Sequence, residues 1–389
     1  MEHSDYVKIN AGTKVTRSIL NNVGSPDDAL KIIHIAGTNG KGSTAEYFTQ
    51  ILIAAGKRVG TFTSPAVYDF YDQFRIDGQP MKPELAESYF ERALKAAEGL
   101  GATDFEIQTA GVLLAFKEEG CEWAVIECGM GGLNDATNAI NKKELAVITS
   151  LSLEHTEYLG NTIGEICAQK AGIIKNCPVV VNSRQPAEAL EYFKQVGGYL
   201  VGRVTYAYGN EFWYGDDHFE FSTTGIEQVH NAATAIEGAR YLCLPEKAIT
   251  EGIRAAKFAG RGEKFSAFGR TYILDGAHNP AAFEPLCYGL KDLKREQVTV
   301  IFGCLKGKDI EGCLKELSPV CGCIVAVECA SPRKMPLDEI VKVCAKYFKE
   351  VSTADSVSAA LNKVFTNTVV VCGSFTLLKE AKLWIEKGL

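Results

Sequence analysis

Residues 32–48 read IIHIAGTNGKGSTAEYF. An apolar run, a turn set with Gly37, Gly40 and Gly42, and a helix-like stretch come one after another. In that order a glycine loop can cradle phosphate, because successive backbone N–H groups face an anion at a helix N-terminus. The general phosphate-loop pattern puts Ser or Thr directly after the lysine. Here Gly42 separates Lys41 from Ser43 and Thr44. A glycine-rich turn with a solvated lysine is the plainer alternative. Strand, lysine, hydroxyls and helix in sequence favour nucleotide binding, with Lys41 reaching the terminal phosphates and Ser43 or Thr44 binding Mg²⁺.

Working outward, apolar runs alternate with helical patterns, which predicts βαβ units and parallel sheets. Strands are expected at KIIHIA, RVGTFTS, EWAVIEC, LAVITSLS and CPVVVN, with helices such as FEIQTAGVLLAFKEE and NTIGEICAQKAGIIK between them. The aromatic patch GRVTYAYGNEFWYGDDHFEFSTTG reads as hairpin-like strands. Two further helices are expected at NAATAIEGARYL and EKAITEGIRAAKF. The connector AGRGEKF (259–265) precedes a second strand series, TYILDGAH, QVTVIFGC, CGCIVAVEC and NTVVVCGS. These features predict an α/β protein of two domains, 1–264 and 265–389. The first is a P-loop NTPase-like ATPase domain with a parallel-rich central sheet. The second is a smaller Rossmann-like doubly wound domain.

The 389 residues are too many for one hydrophobic core, and 46% hydrophobic with 23% charged residues is ordinary for a globular protein. A net charge of −7 with mixed signs argues against nucleic acid as the partner. The opening MEHSDYVKIN lacks a secretory pattern, and apolar runs such as ILIAAG are too short to span a bilayer, so a cytoplasmic protein without membrane contact is expected. The 13 cysteines read as small buried hydrophobes of a reducing compartment. The pair Cys321 and Cys323 lies in a strand-like run and lacks a second ligand pair at zinc spacing.

Three further strand ends carry candidate chemistry. Glu127 closes EWAVIEC where a metal carboxylate belongs, and His155 comes after LAVITSLS at the same sheet edge. In DGAHNP (275–280) an acid, a histidine and an amide crowd one turn, although Asp and Asn also favour turns for their own sake. Lys170 and Lys175 punctuate an apolar helix, a pattern in which lysines usually snorkel to the surface.

Together, HIAGTNGKGST, TSP with RIDG, FEIQTA, ECGMGGLNDATN, EHTEYLGNT, KAGIIK, HNAATA, GRGEKF, DGAHNP and GSFTL resemble the folylpolyglutamate synthase and dihydrofolate synthase family of the Mur ligase superfamily. The G-K-G-S spacing is that superfamily's own form of the loop. The resemblance implies ATP-dependent amide ligation through an acyl phosphate, with ATP and two Mg²⁺ as cofactors. The substrates it implies are folate or dihydropteroate and L-glutamate, and members are commonly monomers.

By resemblance, the loop Thr38, Asn39, Gly40, Lys41, Gly42, Ser43 and Thr44 binds the nucleotide, joined by Asn231 at the adenine and by Arg261 and Asp275 at phosphates and ribose. Ser43 and Glu127 hold the first Mg²⁺; His155 and a carbamylated Lys170 hold the second. Lys41, Lys170 and His278 are the catalytic set. Ser64, Pro65, His278 and Ser374 meet the substrates. A site shared by two domains implies closure on ATP binding.

The acceptor-side loop SPAVYDFYDQFRIDG departs from the family pattern: Ala66 stands for a histidine, and Asp72 and Gln73 for Glu-Arg. A related ligase joining another acid and amino acid is therefore the rival within the class. From another class, the rival is a P-loop kinase or nucleotide-binding regulator, which would not need DGAHNP or a metal set reaching His155 and Lys170.

Overall fold

The computed structural model describes residues 12–202, 204–206, 209–223 and 225–388. The chain divides into two compact units, Met1–Pro65 with Tyr71–Lys257, and Ala66–Phe70 with Phe258–Leu389.

The first unit is built on an eight-stranded sheet: β1 (Lys31–Ala36), β2 (Val59–Phe62), β3 (Phe74–Ile76), β4 (Gln79–Pro80), β5 (Trp123–Glu127), β6 (Leu145–Ile148), β7 (Val179–Val181) and β8 (Tyr199–Leu200), in the order β4-β3-β2-β5-β1-β6-β7-β8. β2, β5, β1, β6, β7 and β8 pair in parallel, while β3 and β4 form an antiparallel edge. The parallel strands are continuous apolar runs because helices cover both faces. β1 and β5 sit centrally, so the turns leaving their carboxyl ends lie side by side. The aromatic patch forms a separate antiparallel sheet of β9 (Val204–Tyr206), β10 (Glu211–Tyr214) and β11 (Asp217–Glu220), in the order β11-β10-β9.

Helix boundaries obey local chemistry. The helix Asp104–Glu118 starts at a capping box in which the Thr103 hydroxyl accepts from the Glu106 backbone and the Glu106 carboxylate accepts from the Thr103 backbone. The helix expected across 161–175 runs only from Ile163 to Ala171: Thr162 and Glu165 form its capping box and Gly172 ends it. Residues 172–178 are turns and bends, which changes the placement of Lys175.

The second unit holds a six-stranded sheet of β12 (Glu263–Ala267), β13 (Arg270–Leu274), β14 (Val298–Phe302), β15 (Cys323–Ala326), β16 (Val351–Thr353) and β17 (Thr368–Cys372), ordered β12-β13-β17-β14-β15-β16. All pairings are parallel except the β12–β13 hairpin. Residue 265 falls inside β12. Period-two alternation divides the sheet between two cores. Ile273, Val300, Phe302 and Val370 pack in one, and Tyr272, Leu274, Ile301, Val369 and Val371 in the other. Cys321 is buried beneath this sheet, which agrees with cysteine as a core hydrophobe.

The strap Ala66–Phe70 belongs to this second unit. Val67 and Tyr68 pack against the core that contains Leu274 and Leu378. The Tyr68 hydroxyl donates to Glu263 Oε2, and Lys382 Nζ sits 4.1 Å above the Tyr68 ring. Asp69 pairs with Lys379 at 3.0 Å. Gly260, in the left-handed region at φ 60°, lets Val67 approach: a Cβ there would stand 2.8 Å from Val67 Cγ1.

Candidate active site

In the first unit the loop after β1 is pinned to the end of β6. The backbone N–H groups of Thr38 and Asn39 both donate to Ser150 O, at 2.9 and 3.2 Å, and Thr38 Oγ1 donates to Ser152 O at 3.1 Å. Glycine is required twice. A Cβ on Gly37 would fall 1.8 Å from Thr149 Oγ1, and one on Gly40, held at φ 88°, 2.4 Å from Asn231 Oδ1. The structure thus brings Asn231 against the loop, although nearly two hundred positions separate them in the sequence.

The helix Lys41–Ala54 begins at Gly40 with no side-chain cap and no acidic residue in its first turn. Its orphan N–H groups and the positive end of its dipole make a ready anion site. Lys41 Nζ donates to Thr38 O at 3.1 Å and lies 3.8 Å from Glu127 Oε1. Glu127, buried at the tip of β5, accepts from Ser64 N at 3.3 Å. Ser43 Oγ accepts from Gln228 Nε2 at 3.2 Å, whereas Thr44 Oγ1 is buried with no partner among the described residues.

Lys170 lies behind this loop rather than snorkelling: its Nζ donates to Gly37 O at 2.7 Å from a buried position. Burial, then the nearby Lys41 charge, brings its pKa down to about 7. Lys175 does not snorkel either. Because the helix stops at Ala171, its ammonium turns inward to donate to Asn138 O and, at 3.4 Å, to Ile140 O. His155 is exposed, in the left-handed region at φ 52°, and its carbonyl accepts from Tyr158 N and Leu159 N. Pro65 is exposed beside the half-buried Ser64.

The residues present fit a nucleoside triphosphate and a divalent cation. Among the described residues no three His, Cys, Asp and Glu side chains group as a metal cage. Mg²⁺ needs none, since it typically takes one or two carboxylates and completes its shell from phosphates and water. Glu127 with the hydroxyl of Ser43 is such a set, and the orphaned Thr44 hydroxyl adds an unspent donor.

Several residues of this region lie inside HIAGTNGKGST and ECGMGGLNDATN, yet the motifs alone give them no role. His34 on β1 is buried, with Nε2 2.8 Å from Thr137 Oγ1 and 3.1 Å from Cys128 Sγ. Burial and then the Lys143 and Lys175 charges hold its pKa well below the usual imidazole value, so the ring is neutral. Asp135 accepts from Met130 N at 2.7 Å and from the Thr137 amide and hydroxyl, which fixes the turn beyond Glu127. Asn138 accepts from Lys143 Nζ at 2.8 Å and donates to Leu133 O and Gly172 O, tying that turn to the segment after Lys170.

In the second unit, Asp275 stands just beyond β13 and accepts from Ala277 N at 2.7 Å. Burial raises its pKa to about 6 against the opposing pull of Arg261. The Arg261 guanidinium lies 4.6 Å over the Phe375 ring. His278 Nδ1 is 2.8 Å from Gly276 O. Asn279 caps the helix Pro280–Tyr288, accepting from Ala282 N at 2.9 Å. Ser374 caps the turn after β17, accepting from Thr376 N at 3.3 Å. Gly373 N donates to Ala277 O at 2.9 Å, so the turns after β13 and β17 are one assembly.

The Mur ligase middle domain matches residues 35–237, and the Mur ligase glutamate ligase domain matches 260–375. A dihydrofolate synthase/folylpolyglutamate synthase of Escherichia coli is 33% identical, with 88% of this chain and 84% of that protein covered. A probable bifunctional folylpolyglutamate synthase/dihydropteroate synthase of Haloferax volcanii is 30% identical over 96% of this chain. The chain spans about half of that relative, 48% of its length. Escherichia coli FolC in complex with DHPP and ADP superposes with a TM-score of 0.87 at 29% identity, covering 99% of this chain and 95% of that one. A bifunctional folylpolyglutamate synthase/dihydrofolate synthase with Mn, AMPPNP and L-glutamate bound gives 0.84 at 28% identity, covering 98% and 96%. Two matched domains in order, and 33% identity to a relative aligned over most of both chains, place the chain in the folylpolyglutamate synthase/dihydrofolate synthase family of Mur ligases.

Proposed function

We propose that the protein is a MgATP-dependent ligase that joins L-glutamate to a folate-type carboxylate through an acyl phosphate. The observation that carries this reading is the uncapped helix terminus at Gly40, with Lys41 beside the strand-end carboxylate Glu127. Phosphoryl transfer asks a protein for positioning and charge neutralisation rather than for a covalent partner. The loop N–H groups from Gly40 to Ser43 hold the phosphates, and Lys41 tracks the charge that moves as the acceptor carboxylate takes the terminal phosphoryl group. Glu127 and Ser43 are the residues that would hold Mg²⁺, which when bound offsets charge on the phosphate oxygens. Asn231, Arg261 and Asp275 orient the nucleotide, while His278 and Ser374 orient the amine of glutamate. That amine then attacks the acyl carbonyl and phosphate leaves.

Lys170 has a distinct part in this reading. A carbamate forms only from a neutral amine, which attacks CO₂ at carbon and loses a proton. With its pKa brought to about 7, a large fraction of Lys170 is neutral at physiological pH. The carbamate turns a cation into a carboxylate-like group suited, with His155, to a second Mg²⁺. Lys170→Ala should lose activity that bicarbonate does not restore and a small added carboxylate partly restores. Full activity in that variant sinks the carbamate role.

Incubation with ATP, L-glutamate and tetrahydrofolate or dihydropteroate, read by mass spectrometry, tests the whole reading. A product heavier by one glutamyl unit is expected. Phosphate release only with a different acid keeps the chemistry and discards folate, an outcome the Ala66, Asp72 and Gln73 departures make worth measuring. Phosphorylation without glutamate favours a kinase. A cytoplasmic monomer goes with this proposal, and light scattering on the purified chain tests its oligomeric part.

A further inference from the structure

The helix Ile226–Tyr241 meets the phosphate loop along one face. Asn231 lies against Gly40, and one turn earlier Gln228 reaches Ser43, since residues three apart share a helix face. The two ends of the Gln228 amide are in different situations. Nε2 donates to Ser43 Oγ at 3.2 Å; Oε1 is shielded from solvent and has no hydrogen-bond partner among the described residues. Thr44 Oγ1, adjacent in sequence to Ser43, is orphaned in the same way. Buried polar atoms are nearly always satisfied, so an orphaned amide oxygen whose own nitrogen holds Ser43 marks a place where a bond is completed from outside the chain.

We propose that Gln228 is a positioning residue of the phosphate–metal site. One end of its amide holds the Ser43 hydroxyl, and the other is kept for the hydration shell of a cation that arrives with the nucleotide. This rests on the nucleotide reading above. A serine hydroxyl is a free rotor with two lone pairs and one proton. A donor fixed at one lone pair restricts that rotor, leaving the second lone pair for a cation and sending the proton elsewhere. Gln228 is uncharged, so it contributes orientation and no field of its own. Its removal should therefore be felt by the cation and not by a nucleotide bound without metal.

The full chain is used for the test. Mn²⁺ affinity in the presence of ADP is measured by electron paramagnetic resonance, and ADP affinity in EDTA by calorimetry. Gln228→Ala should weaken Mn²⁺ binding by about tenfold or more, the usual cost of losing a residue that orients a metal ligand, and leave ADP binding in EDTA unchanged. Unchanged Mn²⁺ binding overturns the proposal, because the amide is then only packing. Parallel losses of Mn²⁺ and metal-free ADP binding also overturn it, because the residue then serves the nucleotide or the loop itself. If Gln228→Ala does not fold, Gln228→Met keeps much of the length and volume but has no donor for Ser43. Mn²⁺ affinity should then fall about tenfold or more with ADP binding in EDTA unchanged, and an unchanged Mn²⁺ affinity refutes the role. A native chain that binds no ADP at all defeats the nucleotide reading instead, and this is seen before any variant is made.

Discussion

The turn after β1 and the turn after β13 each leave the carboxyl end of a parallel strand, yet they distribute their polar groups in opposite ways. Around the first, the helix Lys41–Ala54 starts without a cap, Thr44 Oγ1 and Gln228 Oε1 lack partners among the described residues, and Lys170 is buried against a backbone carbonyl. Around the second, Asn279 caps its helix, Ser374 caps the neighbouring turn, and Asp275 accepts from the Ala277 backbone. One turn is left electrostatically unfinished; the other is largely completed by its own chain. An unfinished turn costs stability in the empty protein and is offset by a ligand, whereas a completed turn presents a rigid surface. Substitutions in the first turn should therefore change activity, whereas in the second the capping residue Asn279 should change stability before activity.

The largest effect is expected at Lys41. Lys41→Ala should lower kcat about a hundred- to a thousandfold, the scale of losing one electrostatic contact to a developing charge, with little loss of melting temperature. A variant that melts early while keeping its activity would break the comparison.

Next comes Lys170, through pH. Its folded pKa of about 7 lies below the ordinary 10.5, so the unfolded chain binds the extra proton between those values. The cost of burying the charge is complete below about pH 7, falls as pH rises, and is gone near pH 10.5. Stability from urea melts should therefore climb across that window through this residue, and Lys170→Met should flatten the climb and raise stability at neutral pH. An unaltered pH profile in the variant contradicts the burial of an ammonium at this position.

Smaller still is Asn279→Ala in the second turn, where loss of the cap should cost about 1 kcal/mol by chemical denaturation. If kcat falls more steeply than stability, the second turn is not a finished surface. The least is expected of Lys379→Ala: its pair with Asp69 is exposed, and such pairs are worth about 0.5 kcal/mol or less. A larger loss would mean that the strap is held mainly by charge rather than by Val67 and Tyr68.

Sequence made the strand, glycine turn and helix at 31–54 legible because each step obeys a local rule: an apolar run, positive-φ residues, then helical spacing. DGAHNP was legible as a turn for the same reason, and its asparagine proved to be a helix cap. The features that resisted reading depend on distant contacts. Lys175 looked like a surface lysine until the helix proved to end at Ala171, which turns its ammonium toward Asn138. Gln228 is one glutamine on an ordinary helix, and only folding brings it to Ser43. Ala66–Phe70 sits between residues of the first unit, and no local pattern assigns it to the second. His34 reads as part of an apolar strand, while its partners Thr137 and Cys128 come from another loop.

The strap has a consequence in time. Ala66–Phe70 leaves the ribosome long before Gly260, Glu263, Leu378 and Lys382 exist for it to rest on. The segment after Ser64 and Pro65 must therefore wait, unseated, through the synthesis of the whole first unit. Gly260 and Glu263 come first, and the helix Leu378–Glu386 completes the seat of Val67 and Tyr68 last. A chain cut before that helix would carry a complete turn after β1 and a strap without Leu378, Lys379 and Lys382 beneath it.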